Sequence, residues 1–430
     1  MWTKLKTNIL FNKFKYVFKS VRKCRFSTKT KEISFLFKES VNILDKKYVV
    51  DEWTNVTPKV VSFVGRNLYL KNGNPLYFLS QGIKNFFKDY DHFVFNDPVV
   101  DLKANFDSLL IPEDHVSRQK SDTYYVNKDY VLRSHTSAHQ NHCLETKSMA
   151  FICIADVYRR DEIDRKHHSV FHQCEGFKLY DNKSPQLIQS GISNIFDNHS
   201  TLKTDTKQEN HSQEAVRAIE SEMKTTIESF IRYLMAEDLP MRWVSAYFPF
   251  THPSWELEIY YNNEWIEILG SGIVEHKLLS NAGYTDKIGW AFGIGLERLA
   301  MIRYQIPDIR IFWTNDTGFL CQFENITHLD KIVYKPISSH PQIYFDLSFW
   351  LPQDIFWCHN DFYDVVRNIG GDLVEQVKVI DEYTNKKGNT SNTFRIIYRS
   401  HERMLTKDEC NVLHKKIEQY VTDNWKVIIR

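Results

Sequence analysis

Between residues 169 and 180 the side chains of Phe171, Gln173 and Glu175 fall two apart, so on an extended strand they share one face. A ring, an amide and a carboxylate in a row make poor core material, and a water-facing row would leave the phenylalanine oddly exposed. A ligand reconciles the three: a ring to stack on, an amide to orient it, a carboxylate to meet an ammonium. Residues 150–160 (AFICIADVYRR) read as the neighbouring strand, from which Arg159 can point onto the same floor as a positive fork suited to phosphate. A third suggestive stretch lies downstream. Six of the 15 glycines (Gly270, Gly272, Gly283, Gly289, Gly293, Gly295) fall within residues 270–295, and glycine gathers where backbone turns sharply or meets a ligand closely. The run Gly289 to Gly295 then enters a helical pattern that stops at Pro307, with Arg298 in its first turn. The spacing is not that of a dinucleotide-binding loop. Arg298 can hold a polyphosphate, or it can pair with a surface acid above a glycine-packed helix. Both readings stand for this segment alone, and the row at 171–175 favours the ligand.

The elements that must position these groups follow from periodicity. Residues 78–87 have helical spacing, and Phe93-Val94-Phe95 reads as a short strand. Strands are expected at 150–160 and 169–180 around a charged loop, and a helix at 214–235. Further strands fall near 243–250, 255–261 and 264–269, the last two joined at Asn262-Asn263. Residues 181–214, rich in Asn, Ser, Lys and Gln, read as an exposed insertion, and 315–340 as a linker. After it, 341–430 runs strand, helix, strand, strand, helix, strand, the pattern of a small split βαβ sandwich. Successive hairpins with few helices between them argue against a doubly wound parallel sheet.

An arginine-bearing strand, a charged loop, a returning strand and a Gly-x-Gly-x-Glu-Arg helix together resemble motifs 2 and 3 of class II aminoacyl-tRNA synthetases. The words His135-Thr-Ser137-Ala138-His139-Gln140, Phe171-His-Gln173-Cys174-Glu175-Gly and Gly289-Trp-Ala291-Phe292-Gly293 resemble the phenylalanyl-tRNA synthetase family in particular. So do Asn105-Phe-Asp-Ser-Leu-Leu-Ile-Pro112 and Ile306-Pro-Asp-Ile-Arg310. The resemblance spans roughly 80–315, and the last 90 residues are similar to the family's ferredoxin-like anticodon-binding domain. One chain carrying both parts resembles the single-chain mitochondrial form. The implied fold is α+β: an antiparallel class II sheet flanked by helices (96–314, after a lead-in at 32–95), followed by the ferredoxin-like domain.

The resemblance implies a ligase that activates phenylalanine with ATP and Mg²⁺ and passes it to the 3′ end of tRNA(Phe). It puts Arg159 on the α-phosphate, Arg298 on the distal phosphates and Phe171 against the adenine, with the loop of Lys166, His167 and His168 closing over the nucleotide. Ser137, Gln140, Gln173 and Glu175 would grip the amino and carboxyl groups, with His135, Ala138, His139 and Cys174 in the same words. Phe248 and Phe250 would line the ring pocket above a floor of Ala291 and Phe292, and Glu267 is a candidate for Mg²⁺ or ATP. Two positions depart from the family pattern: Val116 stands where proline is usual, and Asp161 where motif 2 of the wider class has glutamate. Read without the resemblance, Cys153 and Cys174 are packing residues. His135 and His139 lack a third metal ligand, and Ser137 has no Ser-His-Asp arrangement. Attack of a carboxylate on an α-phosphate needs charge neutralisation, so no side-chain general base is expected. The chain leaves no room for a separate editing domain, so the expected rejection of tyrosine is modest, about a hundredfold.

Composition bounds the rest. With 430 residues, 42% hydrophobic and 14% aromatic, the chain can bury a core across two or three domains. No stretch approaches the roughly 18 apolar residues of a membrane-spanning helix, so no membrane partner is expected. Seven cysteines without a close Cys-x-x-Cys pair fit a reducing compartment. The net charge of +1 hides an asymmetry: residues 1–31 carry ten bases and no acid, which leaves 45 bases against 54 acids elsewhere. Such a leader reads as a mitochondrial transit peptide, implying the matrix, with a basic nucleic-acid-binding arm as the alternative. In the tail, residues 386–430 hold 10 bases and 5 acids, among them Lys386, Lys387, Arg395, Arg399 and Arg403, a footprint suited to a phosphate backbone. Class II pairing would run through motif 1 near Asn96-Asp97-Pro98, but the single-chain form implies a monomer.

Overall fold

The computed structural model describes residues 37–430 except 198–201, 325, 328–331, 337–339, 353–356, 387 and 401. The basic leader at 1–31 and Lys387 therefore lie outside the described residues. No helix among those described is long and apolar enough to cross a membrane.

A seven-stranded sheet forms the main body: β1 (Asp91–Val94), β2 (Ala150–Tyr158), β3 (Val170–Tyr180), β4 (Met241–Phe248), β5 (Thr251–Tyr261), β6 (Glu264–Val274) and β7 (Ile288–Gly295). Their order in space is β1-β2-β3-β7-β6-β5-β4. Five of the six pairings are antiparallel, but β1 runs parallel to β2, with Asp91 opposite Phe151. The sheet is thus mixed where a purely antiparallel one was expected. A short edge strand far in sequence from its partner gives no hairpin signal to read. The β5–β6 turn is as expected: Asn262 and Asn263 both take positive φ, 50° and 65°, which asparagine tolerates better than most residues.

Helices cover one face of the sheet. In α1 (Pro75–Phe86) and α2 (Gln213–Met235) apolar residues recur every three or four positions, so one stripe of each is buried. The Ser212 side chain caps α2 by accepting from Ala215 N. A shorter α3 (Leu296–Arg303) follows β7 directly. Strand alternation sorts the sheet residues. Odd positions of β3 and β7 (Phe171, Gln173, Glu175; Ala291, Gly293) face away from the helices. Even positions (Cys174, Tyr180; Trp290, Phe292, Ile294) join the core beneath α1 and α2.

Two segments pack more than composition suggested. Within 181–214, Leu187, Ile195 and His211 are fully buried. Within 315–340, Phe319, Phe323 and Tyr334 belong to the main core, so this stretch is not a free linker.

The tail is a second layered unit with its own core: β8 (Ile343–Trp350), α4 (His359–Gly370), β9 (Val374–Thr384), β10 (Thr390–Tyr398), α5 (Lys407–Trp425) and β11 (Ile428–Ile429), sheet order β9-β10-β8-β11. Thr406 and Glu409 form a reciprocal capping box at the start of α5. The tail docks on the main body through a buried cluster: Arg160 pairs with Asp361 at 2.8 Å and Asp364 at 2.7 Å, and Tyr124 donates to Asp364 at 2.9 Å.

Candidate active site

The sheet face turned away from the helices holds a cavity of about 520 Å³, lined among others by His135, Ser137, Gln140, Arg159, Gln173 and Glu175. A larger open cleft of about 960 Å³ lies along α2. It lacks this convergence of guanidinium, amide and carboxylate, so the chemistry belongs to the smaller one.

One end of the cavity is apolar. Phe248 closes β4, Phe250 follows in the turn, and their rings stack with centroids 6.0 Å apart. Gly270 lets Phe248 lie flat on β6, because a Cβ there would come within 2.6 Å of that ring. Opposite, Gly293 leaves room for Gln173, whose Nε2 would stand 3.0 Å from an added Cβ. Ala291 supplies the small floor residue. At the inner end sits Glu175, 2% exposed, with no full hydrogen bond to either carboxylate oxygen. Burial pushes its carboxyl up to about 7, and the nearby hydroxyls of Ser137 and Thr136 pull the other way. A buried carboxylate without a partner is an expensive group to keep unless a cation arrives. Gln173 Oε1 accepts from Thr136 N at 3.2 Å, which orients its amide. Burial and the neighbouring Arg159 hold His135 neutral, at about 3, beside Phe250 with ring centroids 6.4 Å apart.

The other end is charged. Arg159 donates from Nε to the Ser134 carbonyl at 2.8 Å and lies over the Phe171 ring at 5.2 Å. Asn105, buried beneath, accepts from Ser134 N at 3.0 Å and so pins that carbonyl. Sequence reasoning gave Asn105 and Ser134 no role, although Asn105 opens one of the family words. Arg298, 42% exposed, donates to the Glu267 carbonyl at 2.7 Å, with the Glu267 carboxylate 3.9 Å away. Glu267 lies opposite Glu258 across the β5–β6 ladder, and Glu256 is two residues along the same face. Burial first, then Glu267 and Glu258, raises the Glu256 carboxyl above its usual range. Glu258 is paired with Arg242, which leaves Glu256 and Glu267 as the carboxylates here that could meet a hard divalent cation such as Mg²⁺.

Other expected site residues sit elsewhere. Cys174 and the Phe292 ring face the helices, two even positions in strands whose odd positions face the cavity, although Phe292 still borders the cavity. Both back the pocket. His139 stacks on Phe95 with centroids 3.9 Å apart and meets Arg133 at 2.9 Å, outside the cavity, and Ala138 is buried beside it. His168 is half-buried in a stack with Trp313, ring centroids 5.2 Å apart, and is not among the residues lining the cavity. Lys166 pairs with Glu264 on the β5–β6 turn and His167 with Asp164. Their loop is held from behind, since Ile163 belongs to the tail's core and its carbonyl accepts from Val377 N. In the tail, Lys386 is exposed in the β9–β10 turn, Arg395 pairs with Asp346 on the open sheet face, Arg403 pairs with Glu409, and Arg399 faces Glu375 beside the main body.

Known proteins resemble the chain over most of its length. Residues 60–211 and 217–323 match the family described as tRNA synthetases class II core domain (F), and 338–430 match the ferredoxin-fold anticodon binding domain. A Drosophila melanogaster protein named as a mitochondrial phenylalanine--tRNA ligase is 45% identical over 416 residues, covering 89% of this chain and 91% of the relative. The Mus musculus mitochondrial phenylalanine--tRNA ligase is 43% identical over 402 residues (88% and 86%), and that of Saccharomyces cerevisiae 37% over 453 (91% and 95%). The chain belongs to the class II tRNA synthetases and, within them, to the phenylalanine–tRNA ligase family.

Proposed function

We propose that the chain activates phenylalanine with ATP to phenylalanyl-adenylate and transfers the phenylalanyl group to the 3′ end of mitochondrial tRNA(Phe). The observation that carries this reading is the single sheet face on which a buried, unpartnered carboxylate ends an aromatic pocket while Arg159 lies over the Phe171 ring at the other end, with Arg298 against Glu267. The apolar end takes the phenyl ring by burial and edge-to-face contact with Phe248 and Phe250. Glu175 receives the ammonium, while Gln140, Gln173 and Ser137 orient the amino acid so that its carboxylate points along the face toward Arg159.

In the first step a carboxylate oxygen attacks the α-phosphorus, a P–O bond to pyrophosphate breaks, and no proton moves. The groups that lower this barrier are the cations that neutralise the converging charge: Arg159 at the α-phosphate and Arg298 at the departing phosphates. Mg²⁺, held by Glu267 with Glu256, would neutralise further phosphate charge when bound. In the second step a ribose hydroxyl of the tRNA attacks the acyl carbon, AMP leaves, and a phosphate oxygen of the adenylate accepts the proton. The tail presents Lys386 for the tRNA backbone; Arg395, Arg399 and Arg403, which face Asp346, Glu375 and Glu409, would exchange those acids for phosphate. We place the protein in the mitochondrial matrix, acting as a monomer. Charging of a tRNA(Phe) transcript by the purified chain tests the reading: phenylalanyl-tRNA should form only with both ATP and phenylalanine, and its failure to form would overturn it.

A further inference from the structure

Behind the cleft, on the helix side of β3, lies a buried polar pair that none of the roles above uses. Glu297, 2% exposed, is the residue before Arg298, and His172, fully buried, sits between Phe171 and Gln173. The β3–β7 ladder ends at the pair Gln173–Gly295, where β7 turns into α3. The next β3 amide thus loses its strand acceptor, and the Glu297 carboxylate replaces it: Oε2 accepts from His172 N at 2.8 Å. Oε1 meets His172 Nδ1 at 2.7 Å, and because a carboxylate only accepts, Nδ1 carries the proton. The imidazole also stacks on Trp313, with centroids 5.6 Å apart, and meets the tilted ring of Tyr69 at 5.4 Å.

We propose that Glu297 and His172 are positioning residues for ATP: their two bonds lock the start of α3 to β3 and so set the separation between the Arg298 guanidinium and the Phe171 ring. A single side chain at the strand–helix switch binds both the backbone and the ring of the residue that separates two cleft-facing groups. Its own chain neighbour is the arginine assigned to the distal phosphates. A shift at this joint moves the guanidinium relative to the ring, while Glu175, Ala291 and Phe248 keep their strand register. The effect is therefore selective for the nucleotide. Ion pairs buried only for stability carry no such selectivity.

This inference rests on the nucleotide roles of Arg298 and Phe171, so the experiment separates the two. ATP–pyrophosphate exchange is measured on the full chain for Glu297→Gln, His172→Ala, His172→Asn and Arg298→Ala, with melting temperature and circular dichroism for each. Glu297→Gln and His172→Ala are expected to raise KM for ATP about tenfold, a displacement of well under 1 Å in its effect, with KM for phenylalanine unchanged. His172→Asn, whose amide nitrogen can stand in for Nδ1, should recover most of the loss. If the variants fold but lose only melting temperature or kcat, with KM for ATP unchanged, the pair is merely structural and the inference fails. If Arg298→Ala also leaves KM for ATP unchanged, the nucleotide reading itself fails. Should Glu297→Gln not fold, the contrast between His172→Ala and His172→Asn decides alone.

Discussion

The two ends of the cleft are built differently. At the phenylalanine end most walls are β-strand or its immediate turn, joined by the short helical stretch that carries Ser137 and Gln140; two glycines let side chains lie flat on backbone, and the deciding carboxylate is buried before any ligand arrives. At the nucleotide end the working groups are half-exposed guanidiniums resting on protein carbonyls, at Ser134 and Glu267, beside a loop whose other side is anchored in the tail. On the proposed reading the first end, preformed by register, selects a shape, and the second holds charge in reserve to exchange carbonyl partners for phosphate. Selectivity should therefore be lost by changing volume at one end, and rate by changing charge at the other.

Arg159→Ala attacks the charged end where charge develops. Exchange is expected to fall about 10³-fold, with KM for phenylalanine and tRNA affinity near normal, as filter binding would read. Glu175→Gln attacks the preformed end and should raise KM for phenylalanine by roughly 10- to 100-fold, the span of a hydrogen bond to a charged group. The same residue gives a pH signature. Its carboxyl titrates at about 7 in the empty pocket, above the ordinary 4.5, so the anion that receives the ammonium is depleted as pH falls. KM for phenylalanine should be about tenfold higher at pH 6 than at pH 8, and flat over that range in Glu175→Gln. Gly270→Ala pushes against the Phe248 ring; about a tenfold rise in KM for phenylalanine is expected, with KM for ATP unchanged. Ala291→Gly should do least to phenylalanine, a change of roughly a few-fold, while admitting ring-substituted analogues, which a competition assay would detect. A Gly270 or Ala291 variant that altered KM for ATP as strongly would break the contrast between the ends.

Much of this was legible in the sequence because it is periodic or local. The alternation of Phe171, Gln173 and Glu175 placed all three on one face, and Asn262-Asn263 marked its hairpin. The same alternation, applied one residue further, would have sent Cys174 and Phe292 to the helix side. Naming Cys174 as a pocket residue followed family words over strand period, whereas Phe292 does border the cavity although its ring packs on the helix side. His168 could not be placed that way, since its stacking partner is Trp313, 145 residues later in the chain. The pairing of Arg160 with Asp361 and Asp364 is similarly long-range, and nothing local distinguishes that arginine from Arg159 beside it. The edge strand at Phe93-Val94 was legible, but its parallel pairing with β2 was not, for the same reason.

Amino-acid-dependent ATP–pyrophosphate exchange, run across all twenty amino acids with the purified chain, probes most directly whether an aromatic zwitterion and a nucleotide lie end to end on this face. Robust exchange with phenylalanine, weak exchange with tyrosine and background with the others is the predicted pattern. Exchange driven by a different amino acid, or none by phenylalanine in a folded sample, would contradict the account.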